Sequence, residues 1–339
     1  MKFGSVSVDE ACGAILAHSV RYGAIAYKKG HRISSDDMAL LKSNGCTDLV
    51  VAHVEQDDVS EDDAAYLMAQ AIKGTHIRID PAFTGRANMF ATSAGLLRID
   101  CAGINAINAL DERLTIATLP DFRHVVEGEM VATVKIIPFA IPHTLLQSAV
   151  QIASSEVVQI VPFKALNVGV ISTVLPSLKT STLEKTLLVL AQRLERAKGK
   201  IMRDVRIEHS MNALTQALEQ MKGQVDLIII FGASAITDRR DIIPSALEAV
   251  GGRIEQLGMP VDPGNLLLLG ELDIGTPVIG APGCARSPVE NGFDWILQRL
   301  LAGLKVQAQD IRAMGVGGLL MEIISRPQPR AGGEAHDED

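Results

Sequence analysis

Aromatic side chains are scarce in this chain, 4% of 339 residues with a single Trp. That scarcity removes the stacking platforms on which single-stranded nucleic acid is held. Positive charge is not in excess either. Against 40 Asp and Glu there are 32 Lys and Arg, a formal net charge of -8. This argues against nucleic acid or an anionic membrane as a bulk partner. An anionic small ligand stays open, because a pocket sets its own local potential. Paired cysteines are missing: Cys12, Cys46, Cys101 and Cys284 lie far apart with no CxxC, and the eight histidines form no HExxH. No zinc site is indicated. No apolar run reaches the length of a membrane span. Asp9 and Glu10 interrupt the N-terminus, so no signal peptide is read there. The default expectation is a cytoplasmic enzyme or binding protein.

What is present is an apolar fraction of 47%, enough for two well-buried domains at this length. Ser7 and Glu10 fit a capping box and predict a helix to about Ser19. A short helix follows from Ser34 or Ser35 to Gly45. A third helix spans Ser60 to Lys73, with Asp63 completing its cap and Gly74 ending it. In the mixed middle region, 116–119 and 131–137 read as strands and 102–110 as a helix. Near Phe163 the pattern changes. Strands at 167–175, 205–208, 225–230, 266–269 and 277–279 alternate with helices. One helix opens at a Ser181–Glu184 box and repeats Leu183, Leu187, Leu190 and Leu194 on one face. Another carries Met211, Leu214, Leu218 and Met221. A last one takes Ser287 as N-cap, Pro288 at its first position, Glu290 in the box and Gly303 at its end. The expected fold class is α/β. A three-layer, mostly parallel sheet occupies 161–325, after an N-terminal mixed α+β region over 1–160. The tail 326–339, rich in Pro, Gly and acids, reads as disordered or as a cut linker.

In such a sheet ligands sit beyond the carboxyl ends of strands. Three segments fall there: Ser172-Thr173, Gly232 to Asp241, and Ala281 to Ser287. The second and third each run toward a helix and carry arginine, Arg239 and Arg240 in one and Arg286 in the other. Small residues let backbone N–H groups approach a phosphate, and the planar guanidinium fork suits one. Each residue also has a plainer role. Asp241 reads either as a helix cap or as a catalytic or metal-binding carboxylate. Asp238 and the arginines read as solvated loop residues or as ligands. Cys284 is a small loop residue or a thiol activated by a helix start. Asn291 and Asp294 read as the exposed side of their helix.

With those residues in hand, the second half resembles the molybdopterin-binding domain of molybdenum-cofactor biosynthesis proteins. Gly232-Ala233-Ser234-Ala235, Arg239-Arg240-Asp241 and Pro244 follow the order of the GGTG turn, RRD and proline of the adenylyltransferase branch, with one extra residue between. Ala281-Pro282-Gly283-Cys284 is similar to the LPGNP-type loop of the molybdenumtransferase branch. Lys28 to Ile33 in the first half, and Met314 to Leu319, carry the likeness across nearly the whole chain. It extends to the molybdopterin-binding half of bacterial fusions that continue into a nucleotidyltransferase-like domain. The sequence ends where that second domain would begin.

The resemblance implies molybdopterin or its nucleotide ester as ligand or substrate, with molybdate, and a homodimer. Gly232, Ala233, Ser234 and Ala235 with the helix entered at Asp241 would take the phosphate. Arg239 or Arg240 would supply countercharge. Pro282, Gly283, Cys284, Arg286 and Ser287 would form the opposite wall, with Ser172 and Thr173 beneath. Asp241 would be catalytic, and Asp238 with Asp241 would hold magnesium. Thr84-Gly85-Arg86 and Asn88 would add a secondary contact. Departures are visible. Ala233 and Ala235 replace glycines, which restricts positive φ. The acidic TGDEL-type motif is replaced by Ser172-Thr173-Val174-Leu175-Pro176. The place of a second aspartate is taken by Glu208 or His209. Two functions follow: a transferase acting on molybdopterin, or a non-catalytic carrier presenting it to a nucleotidyltransferase.

Overall fold

Residues 1–153, 156–176 and 180–321 are described by a computed structural model. They divide into two units, Met1–Val161 and Pro162–Asp339. The tail expected at 326–339 lies outside the described residues.

The first unit opens with β1 (Lys2–Ser7), β2 (Ile15–Leu16), the hairpin β3 (Val20–Tyr22) and β4 (Ile25–Tyr27), α1 (Ser35–Ser43) and β5 (Asp48–His53). The helix expected after Ser7 does not form. Only a turn of 3-10 helix spans Val8–Glu10, and Ser7 caps it from the end of β1. Gly13 turns with φ +77°, and Ile15 and Leu16 pair with Ala52 and Val51 instead. Tertiary pairing overrides the local helix signal there. The other two early helices form as their caps predict. Ser34 and Asp37 close a capping box on α1. Ser60 caps α2 (Glu61–Ile72) through the amide of Asp63.

Then come β6 (Asp58–Ser60, directly before α2), β7 (Ile77–Ile79), β8 (Arg86–Ala91), β9 (Gly95–Ile99), α3 (Cys101–Asn108) and β10 (Leu114–Thr118). β11 (His124–Val125), β12 (Met130–Ile136), β13 (Ala140–Pro142), α4 (His143–Ile152) and β14 (Val158–Pro162) complete the series. A four-stranded sheet in the order β10-β12-β8-β7 lies against α2. Ala64, Ala65, Met68, Ala69 and Ile72 form one helical face and are buried with Met89, Val134 and Ile136.

The second unit is one six-stranded sheet, β16-β15-β17-β20-β19-β18. Its elements in chain order are β15 (Asn167–Val174), α5 (Thr180–Glu195), β16 (Lys200–Glu208), α6 (Met211–Met221), β17 (Leu227–Phe231) and α7 (Ile242–Ala249). There follow β18 (Arg253–Leu257), β19 (Leu268–Glu271), β20 (Pro277–Ala281), α8 (Gly292–Leu301) and α9 (Ala308–Arg312). β16, β15, β17 and β20 are parallel, and β19 and β18 are antiparallel additions.

Side chains alternate along β17, and each set finds a helix layer. Leu227, Ile229 and Phe231 pack with Leu190 and Leu194 of α5 and Phe293, Ile296 and Leu297 of α8. Ile228 and Ile230 pack with Leu214 and Leu218 of α6 and Ile243 and Leu247 of α7. The result is the expected three-layer α/β arrangement. Two helix starts differ from expectation. α5 already includes Thr180, so Ser181 lies inside it. α8 begins only at Gly292, because Asn291 and Asp294 form the capping box that Ser287 and Glu290 were expected to form. Asn291 and Asp294 are buried rather than exposed.

Candidate functional site

The topology itself creates a crevice. From β15 the chain crosses through α5 to β16 on one side. From β17 it leaves through α7 toward β18, β19 and β20 on the other. β15 and β17 are neighbours, so their connections part in opposite directions at their carboxyl ends. Doubly wound sheets bind ligands at such a switch point.

A hydrogen-bond chain lines this crevice on the α6/α7 side. Thr173, fully buried at the end of β15, accepts from the Ala233 amide through Oγ1 at 2.9 Å. The same Oγ1 shares a 2.8 Å hydrogen bond with His209 Nδ1, just past β16. His209 Nε2 is 3.2 Å from Ser234 Oγ. Ser172 is also buried, but alternation turns it to the α5/α8 face.

Gly232 stands between the two sides. A Cβ there would come within 2.7 Å of the Ser234 carbonyl oxygen, so the chain's tight curl demands glycine. Ala233 and Ala235 are not among the positive-φ residues. The turn therefore has a form that alanine tolerates without strain. The amides of Ser234, Ala235 and Ile236 donate to no other described residue. Three consecutive unpaired N–H groups, two of them on exposed residues, suit an anion.

Farther along this loop, Arg240 folds back on Asp238 with Nε 2.7 Å from Oδ1. Those hydrogen bonds hold the Asp238 carboxyl below the usual carboxylate range. Arg239 is exposed and pairs with no described carboxylate. Asp241 accepts from the Ile242 amide at 2.8 Å and from the Thr237 amide at 3.4 Å. It thereby caps α7 and closes the turn. With Asp238 given to Arg240 and Asp241 to amides, the carboxylates expected to hold magnesium are both engaged. Among the described residues no group of three His, Cys, Asp or Glu side chains is placed to hold a metal ion. Nothing in this arrangement supports a magnesium site.

The third loop meets the second through Arg286. Its Nη2 donates to the Gly232 carbonyl at 3.0 Å and its Nη1 to Thr186 Oγ1 of α5 at 3.0 Å. The guanidinium also lies over the Phe231 ring, 5.3 Å from the centroid. Arg286 therefore ties the two loops to each other and to α5. Gly283–Arg286 is a turn of 3-10 helix, and Ser287 follows it in extended form.

Beneath it sits a residue that the sequence reading passed over. Arg193 of α5 forms a two-pronged pair with Asp294, at 2.6 and 3.2 Å. It also donates to the carbonyls of Ala285 and Ser287 at 2.9 and 2.7 Å. The signal was present: Arg193 and Thr186 are seven residues apart, two turns on one face of α5. The Asn291 side chain donates to the carbonyls of Cys284 and Val289, and Cys284 Sγ lies 3.5 Å from its Oδ1. Pro282 is buried between β20 and this turn.

The expected secondary contact belongs to the first unit. Thr84 and Gly85 turn with φ of +52° and +70°. Lys135 Nζ donates to the Thr84 carbonyl at 2.5 Å, and the Gly85 amide donates to Asp62 at 2.6 Å. Asn88 accepts from Thr133 at 2.8 Å. Partial burial raises the neighbouring Glu61 carboxyl above its ordinary value.

Residues 5–53 match a family described as a domain of unknown function, DUF8806. No curated protein matches the sequence. Similar solved structures include the molybdopterin biosynthesis MoeA protein from Pyrococcus horikoshii, 13% identical, with 89% of this chain and 75% of that chain covered at a TM-score of 0.30. A molybdenum cofactor biosynthesis protein from Pyrococcus furiosus is 14% identical, covering 89% of this chain and 64% of its own, TM-score 0.25. The molybdopterin biosynthesis enzyme MoaB from Thermus thermophilus is 16% identical over 41% of this chain and 97% of its own, TM-score 0.28. Similarity at that level gives no residue-by-residue correspondence. Among the described residues no helix is long and apolar enough to cross a membrane.

Proposed function

We propose that the second unit binds molybdopterin, a phosphorylated dithiolene pterin, and serves molybdenum-cofactor biosynthesis. The observation that carries this is the meeting of two loops at one switch point: Gly232 to Ala235 receives Thr173 at one side and Arg286 at the other. The sequence resemblance of those same two loops supports the choice of ligand. The amides of Ser234, Ala235 and Ile236 take the phosphate, and Arg239 supplies countercharge from the loop. Asp241 keeps the turn in shape as the cap of α7. Arg286 and Ser287 build the facing wall rather than reach for the ligand.

Within this reading, a transferase acts on bound molybdopterin or its nucleotide ester, and a carrier only hands it to a nucleotidyltransferase. Engagement of Asp238 and Asp241 favours the carrier over a magnesium-dependent molybdate insertion. The binding claim is tested by native mass spectrometry of the protein mixed with molybdopterin. A one-to-one adduct is expected, weakened at least about tenfold by Arg239→Glu, since a charge-assisted phosphate contact is lost. No adduct, or one indifferent to Arg239→Glu, rejects the site. Incubation with adenylated molybdopterin and molybdate then separates the two roles, because AMP release rejects the carrier.

A further inference from the structure

We propose that Ser234, His209 and Thr173 form a nucleophile, base and orienter chain that acts on a phosphate ester or anhydride held in this crevice. The inference rests on the anion-binding reading above and not on the carrier role, which a chemical step here would exclude. Three separate elements supply the members: the loop after β17, the end of β16 and the end of β15. Their spacings, 3.2 Å from Ser234 Oγ to His209 Nε2 and 2.8 Å from Nδ1 to Thr173 Oγ1, fit an activated hydroxyl with an oriented base.

Thr173 Oγ1 takes the Ala233 amide on one lone pair and meets Nδ1 at 2.8 Å, a contact in which the hydroxyl either accepts from Nδ1–H or donates to a bare Nδ1. The proposed step uses the tautomer in which Nδ1–H donates, which leaves the Nε2 lone pair to accept the Ser234 proton. The histidine backbone is held too, its amide donating to the Val174 carbonyl at 3.1 Å. A hydroxyl that served only to brace the loop would gain from burial, yet Ser234 is exposed where a ligand can reach it. Directly after it come the unpaired amides of Ala235 and Ile236. Donors in that position stabilise negative charge that develops on an attacked centre.

The step balances without a metal ion. Ser234 Oγ forms a bond to phosphorus while its proton passes to His209 Nε2. The bond from phosphorus to the leaving oxygen breaks, its electron pair going to that oxygen, which takes the proton back from Nε2. Water attacks the phosphoserine with the same base, and phosphate and Ser234 are regenerated.

A fluorophosphonate tests this directly, because attack by Oγ displaces fluoride and leaves a stable adduct. Mass spectrometry of the whole protein and of its peptides should find one adduct, on Ser234, and none on Ser234→Ala. His209→Gln should slow labelling roughly 100-fold, the scale of general-base assistance. Thr173→Val should slow it, and Thr173→Ser should restore it. Absence of the Ser234 adduct, or labelling of His209→Gln at the wild-type rate, overturns the proposal. Should His209→Gln fail to fold, the pH profile of wild-type labelling decides: one ionisation must govern the rate, and a flat profile overturns it. Molybdopterin retention by the wild-type protein, set beside its labelling, keeps the two claims apart. Retention without labelling sinks the nucleophile alone, and labelling without retention sinks the ligand.

Discussion

The loops at 232–241 and 281–291 are each held by an arginine–aspartate pair, and the two pairs work in opposite ways. The first pair lies inside its loop, and the second lies outside it, on α5 and α8. In the first, Arg240 and Asp238 are two residues apart in the chain, and Arg240 is almost fully exposed. In the second, Arg193 and Asp294 are 101 residues apart, and each side chain is about nine-tenths buried. One pair arranges a few atoms of a surface turn. The other joins two helices and two loop carbonyls around the wall of the crevice. Sequence spacing marks the local pair and hides the distant one, although the distant one shapes the site.

The comparison breaks first at Arg193. Replacing it by Leu leaves the buried Asp294 with only its capping-box amide and no countercharge, and two loop carbonyls without this donor, a change expected to cost about 3–5 kcal/mol. Chemical denaturation of Arg193→Leu should show that loss. Asp294→Leu should lose a similar amount, and the double variant should lose clearly less than their sum. Simple additivity would mean that the two side chains do not act as a pair.

Much of the second unit was legible because its strands are near-continuous apolar runs between well-signalled helices. β17 and its turn are the clearest case. Helix starts were less so. Ser287-Pro288 carries a strong opening signal, yet Asn291 begins α8, because Asn291 is buried where it can serve two carbonyls while Arg193 holds the Ser287 carbonyl outside the helix. In the first unit the strands between residues 77 and 99 blurred, since Ala, Gly, Ser and Thr weaken both the two-residue and the 3.6-residue period. At the crevice, the tight turn at Gly232 was legible from its small residues, whereas Arg286 was expected as a ligand-facing arginine and instead ties the loops together. The partnership of Thr173, His209 and Ser234 was not, because three chain segments meet there and no local spacing encodes it.

A smaller effect is expected at Asp241, which sits between the two extremes. It is half-buried and caps α7 through two amides. Asp241→Ala should lower stability by about 1 kcal/mol, as loss of an N-cap does, while Asp241→Asn should keep most of it. Thermal unfolding of the pair checks this. If Asn costs as much as Ala, the charge matters beyond capping.

The smallest change is expected where the first loop's ion pair is cut. Asp238 is exposed, and solvent screens such pairs until little remains. Arg240→Ala should leave the melting temperature at neutral pH unmoved within error. The carboxyl group itself should still report the loss. Because Arg240 depresses its folded pKa, the pair's contribution is present above the unfolded carboxylate value, near 3.9, and fades as pH falls through the lower folded one. In Arg240→Ala the Asp238 carboxyl should titrate higher than in wild type, while the backbone amide at position 240 still holds it down in part, as followed by its side-chain carbon resonance. A melting temperature that drops as far as in Arg193→Leu would erase the contrast between the loops. The exposed turn would then be as structural as the buried wall.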